Sequence, residues 1–180
     1  MPKSIRIEAT DLWDEKNEQF IVIKPQTIII EHSLVSISKW ESKWHKMFLE
    51  TKDKSPMEFL DYIRCMTINK DVNPFCYYAL SQENLQDIVK YMEDPMTASS
   101  VTFFGNPGHH EPISSELIYY WMFTYGIPME VEKWHINRLL MLIKIFSKKN
   151  SKPTKADKAA AAKQRAELNR QRCAALGTKG

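Results

Sequence analysis

ISSELIYYWMFTYGIPMEVEKWHINRLLMLIKIFSKK, residues 113–149, is the most apolar run in the chain, and its punctuation predicts two consecutive helices joined at Gly126-Ile127-Pro128. Ser114 is placed to cap the first helix, with Ile113 and Ile118 as the flanking hydrophobic staple. Leu117, Tyr120, Trp121 and Thr124 recur at i, i+3, i+4 and i+7, which makes them its expected inner face. Gly126 then offers a left-handed stop and Pro128 forbids continuation. The second helix carries Glu130 and Glu132 in its expected first turn and Lys148 and Lys149 in its last, which complements the helix dipole. Ile136, Leu139, Leu140, Ile143 and Phe146 make one face, and Met141, Leu142 and Ile145 widen it almost all round. A helix so apolar is expected at the centre of the fold.

Upstream, Ile37, Trp40, Trp44, Met47 and Phe48 fall on one side of a helix, for which Ser38 and Glu41 fit a capping box. Ser55-Pro56-Met57-Glu58 is a sharper start signal: Ser55 as cap, proline at the first helical position and Glu58 reaching back. Asn73-Pro74 repeats the device for a short helix, and Ser81 opens a longer one in which Leu85, Ile88, Val89 and Met92 keep helical spacing until Pro95. At the N-terminus, Ile5-Arg6-Ile7 and Phe20-Ile21-Val22-Ile23 flank the polar turn Asp14-Glu15-Lys16-Asn17 and read as a β-hairpin, with a third strand over 27–30 after Pro25. A lone hairpin is marginal in water, so it must lie against the helices. The expected class is α+β, mostly helical: an N-terminal β-hairpin packed on a bundle of about six helices, with a basic C-terminal helical tail.

The chain of 180 residues, 43% hydrophobic, suits one compact domain over 1–150, comprising a hairpin region at 1–31 and a helical bundle at 33–149. Residues 151–180 form a basic, Ala-rich tail, expected to be disordered or to become helical on a partner. The net charge of +3 hides a division. From Lys148 onward ten Lys or Arg stand against Asp157 and Glu167, a net of +8, which leaves −5 for the rest. No window reaches the roughly 18 to 20 apolar residues of a membrane span, and the N-terminus lacks signal-peptide order, so a soluble intracellular protein without membrane contact is expected. Cys65, Cys76 and Cys173, an odd number without CxxC spacing, are expected as reduced thiols.

Catalytic patterns are lacking: GxGxxG, GxxxxGK[ST], HExxH and GxSxG do not occur, and five glycines leave little for a phosphate loop. Cys65 or Cys76 could meet His45 or His135, but both cysteines sit in apolar helical settings that favour inert thiols. His109-His110-Glu111 offers the one metal hypothesis and falls short of a ligand set. No catalytic, cofactor-binding or metal residue is therefore assigned, and an enzyme is not expected. What remains is partner binding. Trp40 and Trp44, four residues apart in a repeated Ser-Lys-Trp, read first as core anchors and second as a partner surface. In the tail, Arg165, Arg170 and Arg172 with Leu168 and Leu176 could dock an acidic or coiled-coil partner, or merely solubilise the chain. Nucleic acid is a weaker fit, because no aromatic residue follows Phe146 to stack on bases.

Six segments, SLVSISKWESKWHKMFL (33–49), DYIRCMTI (61–68), DPMTAS (94–99), SSELIYYWM (114–122), IPMEVEKWHINRLLMLI (127–143) and LNRQRCAALGTKG (168–180), together resemble a family of small proteins from the structural gene module of tailed bacteriophages. Members resemble tail assembly chaperones, which hold the tape measure protein and help recruit tail tube subunits in the host cytoplasm. The resemblance implies phage tail or other virion proteins as partners, leaves self-association open, and brings no catalytic motif or cofactor. A permanent virion component such as a connector, tail or baseplate protein is the alternative it allows, and a nucleic-acid-binding packaging or scaffold factor a second.

Overall fold

The chain runs β1 (Lys3–Ile7), β2 (Thr10–Asp14), β3 (Gln19–Ile23), β4 (Gln26–Ile30), α1 (Leu34–Trp44), α2 (Pro56–Met66), α3 (Gln82–Glu93), α4 (Ser115–Thr124), α5 (Ile136–Asn150) and α6 (Lys155–Leu176), with 3₁₀ helices at Pro74–Ala79 and Met129–Lys133. This computed structural model describes residues 1–15, 17–99, 112–150 and 155–177. The fold is α+β and mostly helical, with its strands gathered at the N-terminus. Two compact units are formed, Met1–Ile145 and Phe146–Gly180.

Within the first unit the centre is α1, which packs against α2, α4 and the Met129–Lys133 turn. Leu34, Ile37 and Trp40 are wholly buried, as are Tyr62, Ile63 and Met66 of α2. The expected start of α1 moves upstream. Ser33 is the N-cap, reciprocally bonded with Ser36, so Ser38 and Glu41 lie inside the helix and do not form a capping box. The helix stops at Trp44 because His45 adopts a left-handed conformation (φ 53°), after which Met47 is exposed while Phe48 turns back into the core.

The strands form two antiparallel pairs, β1 with β4 and β2 with β3. This corrects the expected hairpin: Ile5 pairs with Ile28, not with the Phe20–Ile23 segment, whose true partner is Thr10–Asp14. Ile5, Ile7, Ile28 and Ile30 alternate inward and are buried, so β1 and β4 have one apolar face to share. Strand β2 went unread because Asp11 and Asp14 break up its short apolar content. Beyond β4, the chain leaving α2 supplies a partial third strand. Ile68 N–H donates to the Ile29 carbonyl (2.9 Å), and the Asn69 side chain both accepts from Ile29 N–H (2.8 Å) and donates to the Thr27 carbonyl (3.0 Å).

The two apolar helices differ from expectation in phase and in rank. Helix α4 buries Ser115, Ile118 and Met122, whereas Tyr120 and Thr124 are exposed and Leu117 and Trp121 only half-buried. Gly126 (φ 64°) does end α4: its N–H donates to the Phe123 carbonyl and Ile127 N–H to that of Met122, a Schellman closure. Glu130 and Glu132 belong to the 3₁₀ turn and not to the next helix, which starts only at Ile136. The reason is a β-bridge between His135 and Ser33, reinforced by Ile136 N–H donating to the His32 carbonyl (2.8 Å), which holds this point extended. Helix α5 then buries only Ile136, Leu139 and Ile143. Leu140, Met141, Leu142, Ile145 and Phe146 are half-buried, so α5 is a peripheral helix and α1 holds the central place.

Candidate functional site

Helices α1 and α2 together carry a connected polar surface. Trp40 and Trp44, one turn apart, stack with centroids 6.3 Å apart and planes 28° from parallel. Trp40 is fully buried, its indole N–H donating to the Glu58 carbonyl at 2.9 Å, so it anchors the core and offers nothing to a partner. Trp44 is half-buried and donates to Asp61 Oδ2 at 2.9 Å. The other Asp61 oxygen accepts from Lys43 Nζ at 2.5 Å, with Arg64 at 3.8 Å. One turn back, Glu58 pairs with Lys46 and accepts from Ser55 N–H in the capping box, contacts that hold its carboxyl down at about 2. Trp44, Lys43, Arg64, Met57, Tyr77 and Tyr78 line a small groove of about 80 Å³ with Asp61 at its floor.

Behind this surface lies a buried polar core. Glu41, only 8% exposed, accepts from Phe48 N–H through Oε1 and from Ser115 N–H through Oε2, both at 2.8 Å. One carboxylate thereby fixes the turn after α1 and binds the positive end of α4. His32 sits at the junction of β4 and α1, its Nδ1 2.5 Å from the Tyr62 hydroxyl and its ring 5.0 Å from that of His135. The Ser36 hydroxyl donates to the Ser33 carbonyl (2.8 Å) and lies 3.3 Å from the Tyr62 hydroxyl, so His32, Tyr62 and Ser36 form one buried chain of polar groups. Burial, the neighbouring His135 and Lys54 push His32 down to about 3, and burial also lowers His135, whose Nε2 meets the Tyr91 carbonyl at 3.0 Å. Tyr91 in turn donates to the Met1 carbonyl (3.0 Å), tying the N-terminus to α3.

These groups are arranged for rigidity. Burial raises the Cys65 thiol and pushes Cys76 up to about 11, the opposite of an activated nucleophile. Among the described residues no three His, Cys, Asp or Glu side chains converge on a metal-sized site; His109, His110 and Glu111 lie outside the described residues. No helix among the described residues is long and apolar enough to cross a membrane.

The remaining partner residues lie on α6, a helix of 22 residues. Arg165, Arg170 and Arg172 are exposed, as are Leu168 (46%) and Leu176 (76%). At about 100° per residue Arg165, Arg172 and Leu176 fall on one strip with Leu168 beside it, whereas Arg170 lies about 140° away from Arg165. The structure thus gathers four of the five tail residues along one side. Sequence reading missed the groove residues Asp61, Arg64, Tyr77 and Tyr78, and the exposed hairpin residues Trp13, Phe20 and Val22. The latter had a signal: TDLWD and QFIVI carry apolar residues at both parities, where a hairpin with one free face should alternate with polar ones. No family model, curated protein or solved structure matches the chain.

Proposed function

We propose that the chain is a tailed-bacteriophage morphogenesis protein, a tail assembly chaperone that acts in the host cytoplasm through contacts with the tape measure and tail tube proteins. The reading rests on the resemblance of the six segments quoted above. The observation that carries it furthest is α6, a compact unit of its own with the body's last residues, whose described arginines all face solvent. A helix with little apolar surface folds weakly alone and gains most by docking. Arg165 and Arg172 beside Leu168 and Leu176 suit an acidic client helix, with the leucines packing and the guanidiniums pairing at the rim. The rigid, hydrogen-bonded core of the body suits a scaffold that presents such an arm.

The test is complementation with Arg165, Arg170 and Arg172 all changed to glutamate, read as phage yield and tail length, together with the copy number of the protein in purified particles. Low yield with a normally folded variant, and absence from particles, supports the chaperone. Stoichiometric retention in particles makes it a virion component, and DNA binding that falls steeply with salt makes it a packaging factor.

A further inference from the structure

We propose that the β2–β3 hairpin docks into the groove between α1, α2 and the Pro74–Ala79 helix of a second copy of this chain, and that the exchange is reciprocal, giving a twofold dimer. The hairpin has one face on the body, where Ile23 is buried and Leu12 and Ile21 are half-buried. Its other face is apolar as well: Trp13, Phe20 and Val22 are 53%, 65% and 65% exposed, with Trp13 and Phe20 in an edge-to-face pair 4.9 Å apart. Around them the segment 10–19 carries Asp11, Asp14, Glu15 and Glu18 against Lys16 alone. A hairpin free in solution has no use for an acidic rim around exposed aromatics, whereas an interface has.

The groove is the complement. Lys43 and Arg64 side chains stand 57% and 46% exposed at its mouth, while the carboxylate they share, Asp61, is 9% exposed at the floor. A partner therefore meets cations first. Met57 and Tyr78 supply an exposed apolar rim, and Phe75, also exposed, stands one 3₁₀ turn before Tyr78. Hairpin and groove also adjoin, because β2 and β3 pack on the Pro74–Ala79 helix, whose Tyr77 and Tyr78 wall the groove. Surfaces that adjoin in one copy can both be engaged by a single isologous contact. Six half-exposed side chains contribute about 100 Å² each, on the order of 600 Å² per copy before the polar rim, close to the roughly 800 Å² per partner of a stable interface.

Sedimentation equilibrium of the full chain tests this, with circular dichroism confirming that each variant is folded. The wild type is expected to be a dimer at micromolar concentration. Trp13→Ser, Arg64→Glu, and Asp11→Lys with Glu15→Lys should each raise the dissociation constant by about tenfold or more. Combining Arg64→Glu with Asp11→Lys and Glu15→Lys should restore part of the affinity, because the charges are then exchanged and not merely lost. Arg64 also holds the Pro74 carbonyl (3.4 Å), so Trp13→Ser, which lies on the outer face of the hairpin and removes no hydrogen bond to the body, guards with its dichroism spectrum against a folding defect. A monomeric wild type, a dimer indifferent to Trp13→Ser, or a charge exchange no tighter than its parents overturns the proposal and leaves the hairpin face to a different protein. Phage yield does not enter this readout, so the dimer and the chaperone reading fail separately.

Discussion

Replacing Glu41 with alanine should destabilise the body more than any other single polar substitution on α1. The carboxylate is 8% exposed and accepts two backbone N–H groups, Phe48 and Ser115, at 2.8 Å each. Alanine leaves both donors buried without a partner, at about 1 to 3 kcal/mol each, for a total of roughly 2 to 6 kcal/mol. At about 2 to 4 °C per kcal/mol for a chain of this size, the thermal midpoint should fall by about 10 °C. Glu41→Gln keeps one acceptor oxygen and should lose about half as much, because its amide nitrogen then faces an N–H donor. Glu116→Gln, at an exposed position in the first turn of the same helix α4, is the control and should move the midpoint by no more than about 2 °C. Thermal unfolding followed by circular dichroism reads all three. If Glu41→Ala unfolds within about 2 °C of the wild type, water satisfies those amides and Glu41 does not organise α4.

Acid should weaken the body before its carboxylates protonate. His32 is held neutral at about 3 against an ordinary 6.5, so the stability it confers is complete above about pH 6.5 and is lost as pH falls toward 3, by about 1.4 kcal/mol per unit. His135 adds in the same direction, and Glu58, depressed to about 2, contributes loss only below about pH 4.5. Urea midpoints between about pH 7 and about pH 5 should therefore fall, and a flat profile would show that His32 is not buried neutral. Leu139→Ala should cost about 2 to 5 kcal/mol and Leu140→Ala less than about 1, because only Leu139 is fully buried; equal losses in chemical denaturation would restore α5 to the centre. Truncation after Asn150 leaves the unit Met1–Ile145 whole and should shift its melting midpoint by only a few degrees; a collapse of tens of degrees would make α6 part of the core.

Local grammar was the legible part of this chain. Ser55 with Glu58, Asn73 with Pro74, and Ser81 each start a helical element where their chemistry says they should, and Gly126 ends one. Phase was not legible where periodicity is absent. SELIYYWMFT is apolar nearly all round, so the pattern alone cannot choose a face; the Glu41 carboxylate chooses it by drawing in Ser115, which carries Ile118 and Met122 to the inside. The same holds for α5, whose long apolar face suggested a central helix. Its rank is set by the His135–Ser33 bridge, a contact more than 100 residues apart that no local window contains. The partner surfaces were half legible: Trp40 and Trp44 are one turn apart on the same helix, and only neighbouring Glu58 and Asp61 separate a core anchor from a groove wall.

The cover that residues 67–69 place over β4 bears on the fate of the unfolded chain. Gln26–Ile30 holds three consecutive isoleucines, a segment with high β-propensity and no charge, the kind that nucleates cross-β stacking when its edge is free. In the folded body one edge is taken by β1 and the other is plugged by Ile68 and the Asn69 amide. Asn69 therefore acts as a gatekeeper whose value shows after heating: with the plug loosened, opened molecules can template one another edge to edge, and recovery on cooling would give way to precipitation.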